Sequence, residues 1–223
     1  MNTLFSNKES IKFGWMKAKE NLSFFALLSF TIFCVSLLFS EAASNSTNSI
    51  AIIIFNIAQV VFGVLLGMGY IYITLLSVRG ESFGVKDIVK PAPQFWKYFG
   101  GSLVYAFFVL LGFVLLIVPG VILMIRLGFY KYLIIDKKDI TIRQAMRESM
   151  LITKGVTWKL FLFTILIGLI NLLGLLCFVV GLLVTVPLSA IAYAYVYDKL
   201  LRRLEPVVEE KNETPAVPLE VQN

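Results

Sequence analysis

Residues Leu160 to Tyr197 read LFLFTILIGLINLLGLLCFVVGLLVTVPLSAIAYAYVY, without one Asp, Glu, Lys or Arg. As a single α-helix the stretch would be roughly 57 Å long, at about 1.5 Å per residue. A bilayer core is about 30 Å thick and takes about 20 apolar residues. The stretch is therefore too long for one crossing and suits two. It predicts a tight helical hairpin in a membrane, and the rest of the chain reads as weaker versions of that unit.

Composition agrees. Of the 223 residues, 58% are hydrophobic and 15% charged. Soluble domains are nearer 45–50% apolar with about 25% charged. The net charge is +6. The basic residues sit in short loops between apolar runs, which points to membrane topology and not to nucleic acid. There is no His, and Cys34 and Cys177 both lie inside apolar runs. That inventory builds no zinc site and no Cys–His dyad, so no metal and no cofactor is expected. The two cysteines read as packing residues.

Residues 1–21 carry Lys8, Lys12, Lys17 and Lys19, with Phe5, Ile11, Phe13 and Trp15 as an interrupted apolar face. This predicts an amphipathic helix at the membrane surface. The first apolar run, Leu22 to Ser40, competes with a signal-peptide reading, against which stand its long leader and Glu9 and Glu20. Ile50 to Val78 is long enough to span with tilt. The loop between these runs has no Lys or Arg; its Asn45-Ser46-Thr47 matches a glycosylation sequon weakly. Tyr98 to Ile125 is uncharged and is broken by Pro119-Gly120, a turn signal. Thr141 and Gln144 have the spacing of a capping box. The helix expected after them carries Ile142, Ala145, Met146, Ser149, Met150 and Thr153 on one face, with Gly155 placed to end it. It reads as a short interfacial helix, or else a soluble linker helix.

These segments give an all-α polytopic protein. A six-span domain covers 22–203, in three hairpins at about 22–78, 100–136 and 158–200. A proline- and glutamate-bearing tail, 204–223, is expected to be disordered and cytoplasmic. With the N-terminus inside, the inner segments hold all basic residues except Arg126 and Lys131 of the fourth span; the outer turns near Ala43, Gly120 and Gly181 hold none. A five-span alternative puts the basic loop 137–159 outside, against the positive-inside rule. The expected location is the cell (inner) membrane, multi-pass, with both termini cytoplasmic.

The last two hairpins resemble each other. Trp96-Lys97-Tyr98-Phe99 matches Trp158-Lys159-Leu160-Phe161, and Leu-Leu-Gly follows at the same offset at 110–112 and 172–174. Trp15 with Lys17 is a degenerate third copy. Trp at headgroup level with Lys facing inner-leaflet phosphates explains the pattern as interfacial anchoring by Trp15, Trp96, Lys97, Trp158 and Lys159.

Pro119-Gly120-Val-Ile-Leu-Met-Ile-Arg126, Tyr132-Leu-Ile-Ile-Asp136, Ala145-Met-Arg-Glu-Ser149, Trp158-Lys159 and the Gly181–Pro187 run together carry a resemblance. Over roughly 100–200 the chain is similar to the prokaryotic six-span membrane proteins related to the membrane domain of some glycerophosphodiester phosphodiesterases. The resemblance implies an envelope membrane protein with no established activity of the module itself. Phosphodiesterase chemistry in fused members belongs to a separate soluble domain, which these residues do not contain.

Membrane hydrolases need ionisable groups in the bilayer, and these apolar runs hold no His and no carboxylate. The reading is a non-enzyme. The intramembrane polar residues are Asn56, Gln59, Arg126, Lys131 and Asn171. Arg126, Asn171 and Lys131 are the candidate lipid or substrate contacts, because charges in the bilayer cost about 2.5–3.5 kcal/mol on insertion scales and default to functional candidates. Snorkelling or interhelical bonding is the plainer reading of each: Arg126 to Asn171 or backbone carbonyls, and Lys131 toward the interface. A further expectation gives Arg126 the carbonyls around Pro119-Gly120 as acceptors, with the turns at Gly120 and Gly181 held below the outer surface. Gly63 and Gly67 form a GxxxG that would permit close helix packing. The partners implied are membrane lipids of the anionic inner leaflet, with a membrane protein or a second copy of the chain also possible, and no nucleic acid. The function expected is a lipid- or protein-interacting membrane module, with a small transporter or lipid-moving protein as the alternative.

Overall fold

A computed structural model describes residues 6–177 and 180–203. The phenylalanine expected at position 5 of the amphipathic face and the tail 204–223 lie outside those residues. Among them the fold is all-helical: α1 Asn7–Glu20, α2 Leu22–Ser44, α3 Ser49–Arg79, α4 Phe95–Leu115, α5 Ile117–Leu127, α6 Tyr130–Asp136, α7 Ile142–Ile152, α8 Thr157–Leu176 and α9 Leu182–Arg202, with two short 3-10 turns before α4.

Five segments are long and apolar enough to cross a membrane: α2, α3, Val85–Leu115, Ile117–Asp136 and α8. The expected sixth, α9, is less apolar, since it carries Thr185, Pro187, Ser189, three tyrosines, Asp198 and Lys199. The reason is its position. It packs on α1, α2, α3 and α8, and Leu188, Ile191, Ala192, Ala194, Val196 and Tyr197 are all buried. A helix wrapped by protein has little lipid-facing surface to keep hydrophobic.

The middle region folds back as two antiparallel segments. Tyr105 donates to the Met124 carbonyl at 3.3 Å and Tyr130 to Ser102 at 2.9 Å. The chain reverses at Leu116, whose backbone is extended at φ −165°, ψ 151°. This corrects the turn expected at Pro119-Gly120. Pro119 lies in the first turn of α5, where a missing N–H costs nothing because that group has no partner inside the helix. Gly120 lies inside α5 and packs face to face with Gly112; a Cβ on Gly112 would meet the Gly120 Cα at 2.9 Å. The last hairpin closes in the same way, with Gly174 against Gly181. Asn171 bridges to Ser189 at 2.8 Å and Tyr193 to Thr164 at 3.1 Å across α8 and α9.

Both short amphipathic helices dock on protein. In α1, Ser10, Gly14 and Ala18 recur every four residues and are buried. Gly14 lies against the Leu188 carbonyl and Ala192, so a side chain larger than hydrogen would separate α1 from α9. The capping box of α7 forms, Thr141 accepting from the Gln144 N–H at 3.3 Å and Gln144 from the Thr141 N–H at 3.0 Å. Gly155 takes the left-handed conformation, φ 81°, beyond its end. The buried face of α7, with Ala145, Met146, Ser149 and Ile152, covers the break between α5 and α6. There Ser149 donates to the Arg126 carbonyl at 2.7 Å and accepts the Phe129 N–H at 3.2 Å. Backbone groups orphaned at the helix ends are thereby satisfied.

Candidate functional site

The ends of α3, α6 and α9 meet in an ionic cluster. Arg79 holds Asp136 with two parallel bonds, 2.6 and 2.8 Å, and reaches Asp198 at 3.3 Å. Tyr197 donates to Asp136 at 2.9 Å, and Arg202 closes on Asp198 at 2.7 Å. Planar guanidinium and carboxylate groups match bidentately, which fixes geometry as well as charge. In sequence Arg79 and Asp136 read only as topology markers at the edges of apolar runs. Their meeting fixes three helix ends at one level.

Five residues before Asp136 the chain does the opposite. Lys131 lines an open-sided cavity of about 530 Å³ bounded by α2, α3, α4, α6, Val180 and the start of α9. Its ammonium lies 5.7 Å from the centre of the Tyr98 ring and 5.9 Å from that of Tyr130. Ring faces attract a cation at that range. Among the described residues, no carboxylate lies within ion-pair distance of it. The other polar groups on the lining are the Tyr98 side chain and the Ser29–Tyr70 hydroxyl pair, 3.3 Å apart. Phe30, Phe33, Leu183 and Val186 supply apolar wall. Cavities of about 300–1,000 Å³, mostly apolar with a few placed polar groups, are the usual form of small-ligand sites.

Gly63 and Gly67 belong to this wall. A Cβ built on either meets nothing within 4 Å. The expected close packing at the GxxxG is therefore corrected: no helix enters the notch, and the space two absent side chains leave is part of the cavity. Gly69, two residues beyond Gly67, does pack closely, against Ile88.

The remaining sequence candidates lie elsewhere. Arg126 donates to the Met150 carbonyl of α7 at 3.3 Å, while its Nε is buried without a partner. It bonds neither Asn171 nor the Pro119-Gly120 carbonyls, because α7 docks beside it and supplies a nearer acceptor. Asn171 donates to the Ile167 carbonyl and to Ser189, joining α8 to α9. Gln59 reaches the Ser36 carbonyl at 3.5 Å and Asn56 the Ile52 carbonyl at 2.8 Å. Trp96 and Trp158 are exposed at the starts of α4 and α8, as is Trp15 on α1. Lys97 turns inward to the Lys138 carbonyl at 2.8 Å. At the other end of the bundle, the hairpin ends expose Leu115, Leu116, Ile117 and Val118 in one hairpin and Leu176 and Val180 in the other. Of the three candidates, then, Lys131 alone lines the cavity. Its residues come from helices far apart in sequence, and only its charge inside an apolar run marked it beforehand. Comparison of the chain with protein-family models, with curated proteins and with solved structures returns no match.

Proposed function

We propose that this chain is a non-enzymatic, multi-pass protein of the cell membrane whose role is to hold lipid. The observation that carries this is the 530 Å³ cavity, walled by apolar helices and lined by a cation that has no carboxylate beside it. An ammonium among apolar walls, without a carboxylate beside it, favours a ligand that brings its own negative charge. The resemblance to six-span envelope proteins and the repeated Trp-Lys anchors of the last two hairpins accord with this reading. So does an orientation with both termini cytoplasmic, which puts the Arg79–Asp136–Asp198 cluster at the inner face.

The test is purification from native membranes followed by identification of retained molecules by mass spectrometry. Reproducible retention of lipid is expected. A reproducible small solute in place of lipid would turn the reading toward transport. Reporter fusions within 136–139 are expected to be active only as cytoplasmic reporters. A fusion there that is active outside would remove the orientation.

A further inference from the structure

We propose that the cavity selects an anionic inner-leaflet lipid, with its phosphate on Lys131 and one acyl chain laid along Gly67 and Gly63 toward Val180 and the start of α9. The proposal rests on the lipid-holding reading and adds the class and the pose. Three observations support it.

The first is charge. Lys131 presents a cation to the cavity, and none of the described residues lining the cavity is acidic. An anionic headgroup gains a partner for its charge. A phosphocholine headgroup brings a second cation that finds no carboxylate on the lining, is repelled by Lys131, and meets a Tyr98 ring that the Lys131 ammonium already faces. The lining therefore discriminates by what it lacks as well as by what it offers.

The second is a gradient of polarity. Distances along the helices run from the Arg79–Asp136 pair, which sets α3 and α6 at one level. Lys131 is then about 7.5 Å away on α6, and Gly63 about 24 Å away on α3. Tyr98 lies at the Lys131 end, two residues after the exposed Trp96. Gly63 lines the same cavity as the apolar Phe30, Phe33 and Val180. The cavity is polar at the end near the ionic cluster and apolar beyond it, over about 16 Å. A lipid of the inner leaflet has that same order, head first and chain inward.

The third is shape. A Cβ on Gly112, Gly120, Gly174 or Gly181 would strike an opposing backbone or side chain, whereas one on Gly63 or Gly67, as on Gly168 away from the cavity, meets nothing within 4 Å. What sets Gly63 and Gly67 apart from Gly168 is that both line the cavity, one helical turn from each other. A channel floor without side chains accommodates a methylene chain against the backbone of α3.

The experiment places the full chain in nanodiscs of phosphatidylglycerol and phosphatidylcholine with matched acyl chains, then counts retained lipids by native mass spectrometry after gentle release. The wild type is expected to enrich phosphatidylglycerol at least five-fold over its share of the disc. Lys131→Met is expected to abolish that preference, and Lys131→Arg to keep it. Gly63→Leu with Gly67→Leu is expected to lower retained lipid of both kinds without lowering the thermal midpoint, since the new side chains enter open space and favour the helix. Equal retention of the two lipids by the wild type, or a preference that survives Lys131→Met, overturns the proposal and leaves lipid holding itself intact. Absence of any retained lipid from the wild type overturns both.

Discussion

Two cations on adjacent stretches of the bundle are treated in opposite ways. Arg79 meets Asp136 through both its terminal nitrogens and Asp198 through the third. Lys131, five residues from Asp136 on the same helix, meets two aromatic rings and a cavity. Both sit in helices long and apolar enough for a membrane, and both carry a desolvation cost. Where the cost is offset by carboxylates inside the protein, the charge fixes helix ends. Where it is left uncompensated, the charge is available to something that comes from outside. Pairing, and not position in an apolar run, separates a structural cation from a binding one.

The largest effect expected is at the paired site. Asp136→Ala leaves Arg79 with Asp198 alone and removes the acceptor of the Tyr197 hydroxyl. It should destabilise the fold by about 3 kcal/mol, the lower end for a broken buried pair because Arg79 keeps some solvent contact. Thermal unfolding in detergent measures this, and an unchanged midpoint would deny the cluster its structural role. Lys131→Met is the matching change at the unpaired site. It removes a cation that no carboxylate offsets, so stability should hold or rise, although lipid selection is lost. A drop of the Asp136→Ala size would show that Lys131 is structural after all.

The glycines sharpen the same contrast. Gly120→Val drives a side chain into the Phe113 ring, an overpacking that should cost about 1–3 kcal/mol. Gly67→Ala meets open space, so the gain in helix propensity should dominate, at up to about 1 kcal/mol. A midpoint lowered by Gly67→Ala as far as by Gly120→Val would contradict the assignment of the GxxxG to the cavity.

The smallest effect belongs to the exposed pair that holds α1 to α9. Lys199 and Tyr195 both donate to Glu9, at 2.6 and 2.7 Å. The Lys199 ammonium, with the Tyr195 hydroxyl, holds the Glu9 carboxyl below the usual carboxylate range. Because the folded-state value is the lower one, this contribution is present above the ordinary carboxylate range and fades as pH falls through the lowered value. Glu9→Gln should flatten a slight acid-side loss of stability, kept small by solvent screening. A variant that unfolds outright would mean that α1 carries far more of the fold than its close contact at Gly14 implies.

The hairpin unit was legible because uncharged length and basic loops follow directly from bilayer thickness and surface charge. So were the cap of α7 and its buried face, both set by local spacing. The turn at Leu116 was not, since Leu-Leu-Ile carries no turn residue and Pro-Gly two positions later does. A proline signal reads alike in a turn and in the first turn of a helix. The dock of α1 was written in Ser10, Gly14 and Ala18, but the neighbouring aromatic residues are the louder pattern. At the site, Lys131 announced itself as a charge in an apolar run. Its partners did not, because Ser29, Gly63 and Tyr70 of the first hairpin meet Tyr98 and Lys131 only through packing between distant parts of the chain. Nothing in a single sequence says that Arg79 finds carboxylates and Lys131 finds none.

The most direct measurement places a reporter inside the cavity. Leu183 lines it beside Val180 and Val186, and Leu183→Trp, in a chain with Trp15, Trp96 and Trp158 replaced by Phe, gives a fluorophore there. Titration with brominated-chain phosphatidylglycerol in an excess of phosphatidylcholine should quench it at low mole fraction and saturate. Brominated phosphatidylcholine should quench it only in proportion to its share of the bilayer, and Lys131→Met should make the two curves coincide. Coincident curves with Lys131 in place would contradict the account.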